Sequence, residues 1–343
     1  MYCPPPALLH LPANFTIIFF NNSKTVTPMS KGAKFWLLRF GELSIKSRPV
    51  RQHFQRVLER SLEDLAIQAD IDLILEKSGT HIAAVSHSSS EVVEDVLRHC
   101  FGLVAADPAR PCAADPEAIA DLALQHDSRV GEKRTFGVRT KRSGPKGKYS
   151  SQEFSGAVGH FMLQKDETLS VNLSNPESPV VVNLTNSKAW LLGDRIKCPG
   201  GLPHGVQGKV LARIISEKDM LGAWQLMRRG CRIIPQDGSN QDLLAILAKW
   251  DPTVESAEKA NKASSGPGRN KASLWGAIGM DFAEVVAANP PVEGRKYTPL
   301  CNLDPLCGWT DDELSVLAKH VREPSVYPNP SADGKTLLAW IDE

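Results

Sequence analysis

Gly200-Gly201-Leu202-Pro203-His204-Gly205-Val206-Gln207-Gly208-Lys209-Val210-Leu211 divides the sequence into two differently patterned parts. Pro and Gly punctuation ends one unit, and an apolar run starts the next. Beyond it, strand and helix patterns alternate, as a doubly wound parallel sheet requires. Strands are expected at Val210–Ile215, Cys231–Ile234, Leu274–Ile278 and Leu300–Leu303. Helices are expected at Met220–Arg229, Gln241–Trp250, Phe282–Ala287 and Asp311–His320. The polar, Ala/Ser/Gly-rich stretch Thr253–Lys271 reads as a mobile insert.

Ahead of the divide, Phe35–Phe40 reads as a strand and Pro49–Ala69 as an amphipathic helix with Phe54, Val57, Leu58, Leu62 and Leu65 on one face. Strands Ile71–Leu75 and Ile82–Val85, helix Glu91–Cys100 and strand Leu103–Ala106 complete a β-α-β-β-α-β order, the ferredoxin-like split motif. A second unit carries helices Pro116–Gln125 and Gln152–Leu163, with strands Thr135–Thr140, Leu169–Leu173, Val180–Leu184 and Ala189–Leu192. The expected partition is a flexible extension over 1–34 and three units over 35–110, 111–198 and 199–343. Met29 is the expected start of translation.

The 343 residues are 42% hydrophobic and 23% charged, a globular composition that excludes disorder throughout and a small disulfide scaffold. No apolar run reaches the roughly 18 residues that span a bilayer, so no membrane partner is expected. Seven cysteines (Cys3, Cys100, Cys112, Cys198, Cys231, Cys301 and Cys307) form no CxxC pair, and a reducing cytoplasm is the expected compartment. The net charge of +1 conceals a division: residues 1–206 hold 24 Lys+Arg and 21 Asp+Glu, a net of +3, whereas residues 207–343 hold 16 and 18, a net of −2.

The densest basic run is Lys133, Arg134, Arg139, Lys141, Arg142, Lys146 and Lys148, against Glu132 alone. Gly144-Pro145 and Gly147 make its second half a loop, able to lay cations along a phosphate backbone or to stand as a solvated charged turn.

Leu38-Arg39-Phe40-Gly41-Glu42-Leu43-Ser44-Ile45-Lys46 opens the first unit, and Val138-Arg139-Thr140-Lys141-Arg142 followed by Asn175-Pro176-Glu177 marks the second. Together they resemble the ferredoxin-like and THUMP domains of the tRNA 4-thiouridine synthetases, the ThiI family, over residues 35–206. The G-G-L-P-x-G-x-x-G-K-V-L pattern of that family matches the stretch from Gly200 to Leu211. The resemblance implies a PP-loop nucleotide domain at 199–343 and binding of the tRNA acceptor end. It also implies ATP, with Mg, as cofactor of uridine adenylation, and a homodimer. On it, the candidate tRNA-binding residues are Arg39, Lys46, Arg51, Arg139, Lys141, Arg142, Lys146 and Lys148.

The family carries S-G-G-x-D-S after the first strand of this domain, where small residues let backbone amides approach pyrophosphate at a helix N-terminus. Here the loop reads Ile215-Ser216-Glu217-Lys218-Asp219-Met220. Ser216, Lys218 and Asp219 are the candidate ATP ligands, but both glycines are missing. Glu217 is expected to set a carboxylate near the pyrophosphate, and two like charges at about 4 Å repel by roughly 4 kcal/mol at an effective dielectric near 20. No cysteine lies in Ala257–Asn270, where the family's CxxC pair belongs, so sulfur would come from a separate donor protein. Cys301 and Cys307 read as small apolar fillers, Cys231 as buried, and the scattered histidines as surface or core residues, with His204 beside the G-G-L-P turn where a phosphate or tRNA end could pass. Two functions remain: a tRNA sulfurtransferase with a divergent loop, or a non-catalytic tRNA-binding protein whose nucleotide domain serves as scaffold or partner surface.

Overall fold

Strand β1 (Lys34–Phe40) is buried from Phe35 to Leu38 because it lies between two other strands. It pairs antiparallel with β3 (His81–Ser86) and with β4 (Leu103–Ala113), and β2 (Ile74–Ser78) adds to β3. Helix α1 (Arg48–Gln68) buries Phe54, Leu58, Leu62, Leu65 and Ala66 at three- and four-residue spacing, and Pro49 occupies its first turn. Each such leucine contributes about 1.5–3 kcal/mol by leaving water. Helix α2 (Ser90–Arg98) is capped by the Ser89 hydroxyl, which accepts from the Val92 amide. The strand order β2-β3-β1-β4 is that of the ferredoxin-like split motif.

The computed structural model describes residues 32–41, 47–78, 81–144, 147–263, 273–290, 293–294 and 300–325. Met29, almost all of the expected extension and residues 264–271 of the expected insert lie outside the described residues. The first part of that insert is ordered as a 3-10 turn (Pro252–Glu255) and a helix (Ala257–Ala263).

β4 continues past Ala106, where the sequence pattern stops, to Ala113. The expected boundary between residues 110 and 111 therefore falls inside a strand that both units share. Helix α3 (Pro116–His126) follows, then β5 (Arg134–Arg142), α4 (Ser151–Lys165), β6 (Leu169–Val171), β7 (Ser178–Leu184), β8 (Lys188–Leu192) and β9 (Ile196–Lys197). Among the described residues, these strands extend the sheet in the order β4-β8-β7-β5-β6, with β9 beside β4. Helices α3 and α4 bury Ile119, Ala120, Phe154, Val158 and Met162 against Phe136, Val180 and Val182 of this sheet.

The remaining strands make a parallel sheet in the order β11-β10-β12-β13: β10 (Gly208–Ala212), β11 (Cys231–Pro235), β12 (Leu274–Ile278) and β13 (Cys301–Asn302). Between and around them run α5 (Glu217–Arg228), α6 (Gln241–Ala248), α7 (Ala257–Ala263), α8 (Phe282–Ala288) and α9 (Asp311–Arg322). Helix α5 is buried on every side from Met220 to Arg228, which marks it as the central helix of its layer. The expected α/β architecture is present in all three parts.

Phe101 of the first part inserts into the core of the third. Its ring stacks on Trp250 at 5.1 Å and meets Trp224 edge-on at 5.5 Å, while His99 packs against Trp250 at 4.8 Å. The Trp250 indole N–H donates to the Val321 carbonyl at 3.0 Å. The described residues from Lys34 onward belong to one compact unit.

Candidate nucleic-acid interface and nucleotide loop

β5 alternates its side chains between two faces, as any strand does. Thr140 faces α4, its amide donating to Ser155 Oγ at 3.0 Å and its hydroxyl accepting from the same group at 2.8 Å. Arg139 and Lys141 therefore stand on the other face and are exposed. Arg139 Nη2 donates to the carbonyls of Leu173 at 3.2 Å and Ser174 at 3.4 Å, and Arg142 Nη2 donates to Asn186 Oδ1 at 2.9 Å. Lys148 is exposed, its ammonium 5.0 Å from the centre of the Tyr149 ring. Arg51 is exposed on α1, whereas Lys46 and Lys146 lie outside the described residues.

Arg134, a member of the basic run, does not join this face. It is buried between Asp127 at 2.8 Å and Asp166 at 3.1 Å, with both carboxylates held below their usual range. At Asp127, burial opposes this shift but hydrogen bonds outweigh it; at Asp166 the Thr168 hydroxyl is the main cause. This cation ties loops together and is unavailable to a ligand.

His81 on β3 connects distant strands. Its Nε2 lies 2.7 Å from Ser143 Oγ and 3.1 Å from Asn183 Nδ2, so the sheet curls far enough to bring β3 to the ends of β5 and β7. Burial pushes its imidazole below the usual histidine range, and the nearby cations Arg39 and Lys141 push in the same direction. Lys141 is in register with Asn183, whose side chain meets that imidazole, so a cation of the second part stands beside β3 of the first. Arg39 Nε donates to Asp107 Oδ2 at 2.7 Å, and Asp107 also accepts from Arg195, a residue that the sequence pattern does not single out. A lone arginine in the turn Gly193-Asp194-Arg195 adds nothing to local charge density.

The loop between β10 and α5 has a different character. Ser216 caps α5 in a capping box with Asp219. Asp219 Oδ2 accepts from the Ser216 amide at 2.8 Å, the Ser216 hydroxyl at 2.8 Å and the Ile215 amide at 3.2 Å. The two loop amides that lead into the helix are thus engaged by the chain's own carboxylate, and the Asp219 amide by the Ser216 hydroxyl. Glu217 turns outward to Arg322 Nη1 of α9 at 2.5 Å and is not the obstructing group.

Beside this loop, a cavity of about 310 Å³ opens beyond the C-terminal ends of β12 and β13, against the start of α5. Its lining includes Lys218, Asp219, Gly279, Asn302, Asp304 and Leu306. Two carboxylates against one ammonium, with the Ile215 and Ser216 amides already engaged, do not suit a triphosphate. Of the expected ATP ligands, Lys218 and Asp219 line the cavity, while Ser216 serves as the cap.

His204 is buried, its Nε2 3.4 Å from Asp251 Oδ1. Burial pushes its imidazole down against the pull of Asp251. It belongs to the packing between the parts and not to a path for RNA. Cys231 is fully buried and its thiol is pushed up to about 12, which keeps it from thiolate chemistry. Cys301 and Cys307 are exposed, so they are not the apolar fillers that the sequence suggested.

The THUMP domain family matches residues 113–194. A protein of Methanocaldococcus jannaschii named "Probable tRNA sulfurtransferase" is 31% identical over 237 residues, covering 64% of this chain and 61% of that protein. The tRNA sulfurtransferase of Serratia proteamaculans is 32% identical over 204 residues, covering 58% of this chain and 42% of its own length. The chain is ThiI-like and carries a THUMP domain. It spans about half the length of these ThiI-type relatives. The crystal structure of PH1313 from Pyrococcus horikoshii has a TM-score of 0.63 at 21% identity, covering 84% of this chain and 99% of that one. A 4-thiouridine synthetase–RNA complex with bound ATP has a TM-score of 0.60 at 18% identity, covering 86% and 87%. At such identities these two structures establish a shared ThiI-type fold.

Proposed function

We propose that this chain binds tRNA and serves tRNA thiolation as an RNA-holding protein whose α/β domain is a scaffold. The observation that carries the reading is the contact of His81 on β3 with Ser143 and Asn183, which sets Lys141, in register with Asn183, where the ferredoxin-like and THUMP parts meet. The exposed Arg139 and Lys148 extend the same charge along the THUMP part. Such cations bind by displacing counterions from phosphates, without reading bases.

Support for the non-catalytic half of the proposal comes from Asp219, whose carboxylate takes two loop amides and the Ser216 hydroxyl. Adenylation and sulfur transfer then fall to separate proteins that act on the RNA this chain presents. Titration of tRNA at several KCl concentrations tests RNA binding. The double variant Arg139→Ala with Lys141→Ala is expected to bind about 10-fold more weakly, with a salt slope lower by roughly 1.5. An unaltered slope would remove this face from the interface. Calorimetry with ATP and Mg²⁺, with and without tRNA, tests the scaffold: no heat of binding is expected, and saturable heat would restore the enzymatic reading.

A further inference from the structure

We propose that Arg39 and Arg195, both seated on the Asp107 carboxylate, form a phosphate site for RNA at the junction of the ferredoxin-like and THUMP parts. The inference rests on the RNA-binding reading above and adds a residue and a ligand chemistry to it.

Asp107 lies on β4 with 2% of its side chain exposed, yet both of its oxygens carry arginine. Oδ2 accepts from Arg39 Nε at 2.7 Å and Arg195 Nη2 at 3.1 Å, and Oδ1 accepts from Arg195 Nε at 2.7 Å. Burial alone would raise this carboxyl's pKa, but the two arginines outweigh burial and hold it below the usual range.

The backbone forces the arrangement. β4 pairs with β8 from Ala109 to Ala113 and with β9 at Ala105 and Ala106, so residues 193–195 must cross opposite Asp107 and Pro108. The Gly193 amide closes the crossing by donating to the Pro108 carbonyl at 2.8 Å. Arg195 is thereby delivered to a carboxylate that Arg39 already neutralises.

One arginine balances one buried carboxylate; the second is surplus to structure. Arg195 is 60% exposed, and its bonds to Asp107 leave Nη1 with two N–H groups directed away from that carboxylate. A guanidinium fixed in this way has already lost the side-chain freedom that a mobile arginine would give up on binding. Two guanidinium groups on one carboxylate make a preformed cationic cradle of net charge +1. Phosphate, with several acceptor oxygens, is the group that such forks recognise.

The full chain is titrated with a tRNA transcript over a range of KCl concentrations, beside Arg195→Ala and Arg195→Gln, with thermal unfolding recorded for each. Arg195→Ala is expected to weaken binding about 5- to 10-fold and to reduce the salt slope by roughly 0.7–0.9, the share of one phosphate contact. Arg195→Gln retains an N–H for Asp107 and should lose the same slope with less thermal effect, so it decides the matter where the alanine variant unfolds. A second arm uses transcript stripped of its 5′-phosphate. If the cradle holds the terminal phosphate, stripping weakens the wild-type chain and leaves Arg195→Ala unaltered. If it holds a backbone phosphate, stripping changes neither protein and the deficit of Arg195→Ala persists. Wild-type slope and affinity in both Arg195 variants overturn the site while leaving RNA binding intact. Absence of salt-dependent binding by the wild-type chain overturns the reading beneath it.

Discussion

Asp107 and Asp219 are carboxylates that each gather several N–H donors, with opposite consequences. Asp107 is buried and holds two long cations, one of them directed to solvent. Asp219 accepts from short-range donors of its own helix start and removes them from use. On the proposed function, the first seat offers charge to a partner, while the second occupies two loop amides that an anion would otherwise use. Charge density along a sequence therefore does not report charge available to a ligand. Arg134, in the densest basic run, is spent on two aspartates, while Arg195, in no run at all, is displayed.

The sharpest way to break the comparison is to remove each carboxylate. Asp107→Ala leaves two guanidinium groups without their carboxylate; because Arg195 is 60% exposed and can turn to water, the cost is that of lost charged hydrogen bonds, about 1.5–3 kcal/mol. Urea unfolding should register a loss of that size. A loss below about 1 kcal/mol would mean that the arginines relax into water and that the seat does not fix them.

Acid titration provides the next contrast. His99 and His204 are buried beside the joint that carries Trp250, and burial is the main cause that pushes both imidazoles below their usual range. The folded chain therefore binds fewer protons than the unfolded chain once the pH falls below about 6.5. Stability is complete above that value and declines as the pH falls toward the folded pKa, each histidine contributing at most about 1.4 kcal/mol per pH unit. Thermal unfolding between pH 7.5 and 5.5 should follow this trend, and His204→Gln should make it shallower. A pH-independent transition would place these imidazoles in contact with water.

Much of the fold is legible in the residues. The spacing of Phe54, Leu58, Leu62 and Leu65 fixes α1, and the turn at Gly200–Gly205 marks the entry to the parallel sheet. The second half of β4 is not legible, because Pro108 and Pro111 lack ladder donors and read as breaks. In the fold, they pair with Trp36 and Trp190 inside a continuous strand. The basic face is visible as a cluster, but its division into buried and displayed cations depends on strand alternation and on sheet curl. Ser216 and Asp219 match a nucleotide motif and a capping box equally well, since both use short polar side chains at a helix start.

Asp219→Ala comes next in expected effect. Loss of the capping carboxylate should cost about 1 kcal/mol, below Asp107→Ala. The Ile215 and Ser216 amides would then be released. Pyrophosphate should raise the unfolding temperature of the variant and leave that of the wild-type chain unaltered. Equal stabilisation of both proteins would show that Asp219 does not guard the site.

Arg322→Ala has the smallest expected effect and separates two explanations of the altered loop. Its ion pair with Glu217 is about half exposed on both sides, 43% and 53%, so its loss should cost only about 0.2–1 kcal/mol. If Glu217 excluded anions, freeing it from Arg322 would change the response to pyrophosphate. The geometry instead assigns exclusion to Asp219, whose bonds do not involve Arg322. Arg322→Ala should therefore behave as the wild-type chain does toward pyrophosphate, and Arg322→Ala combined with Asp219→Ala should behave as Asp219→Ala alone. Loss of the Asp219→Ala response in the double variant would make the freed Glu217 carboxylate a second guard of the site.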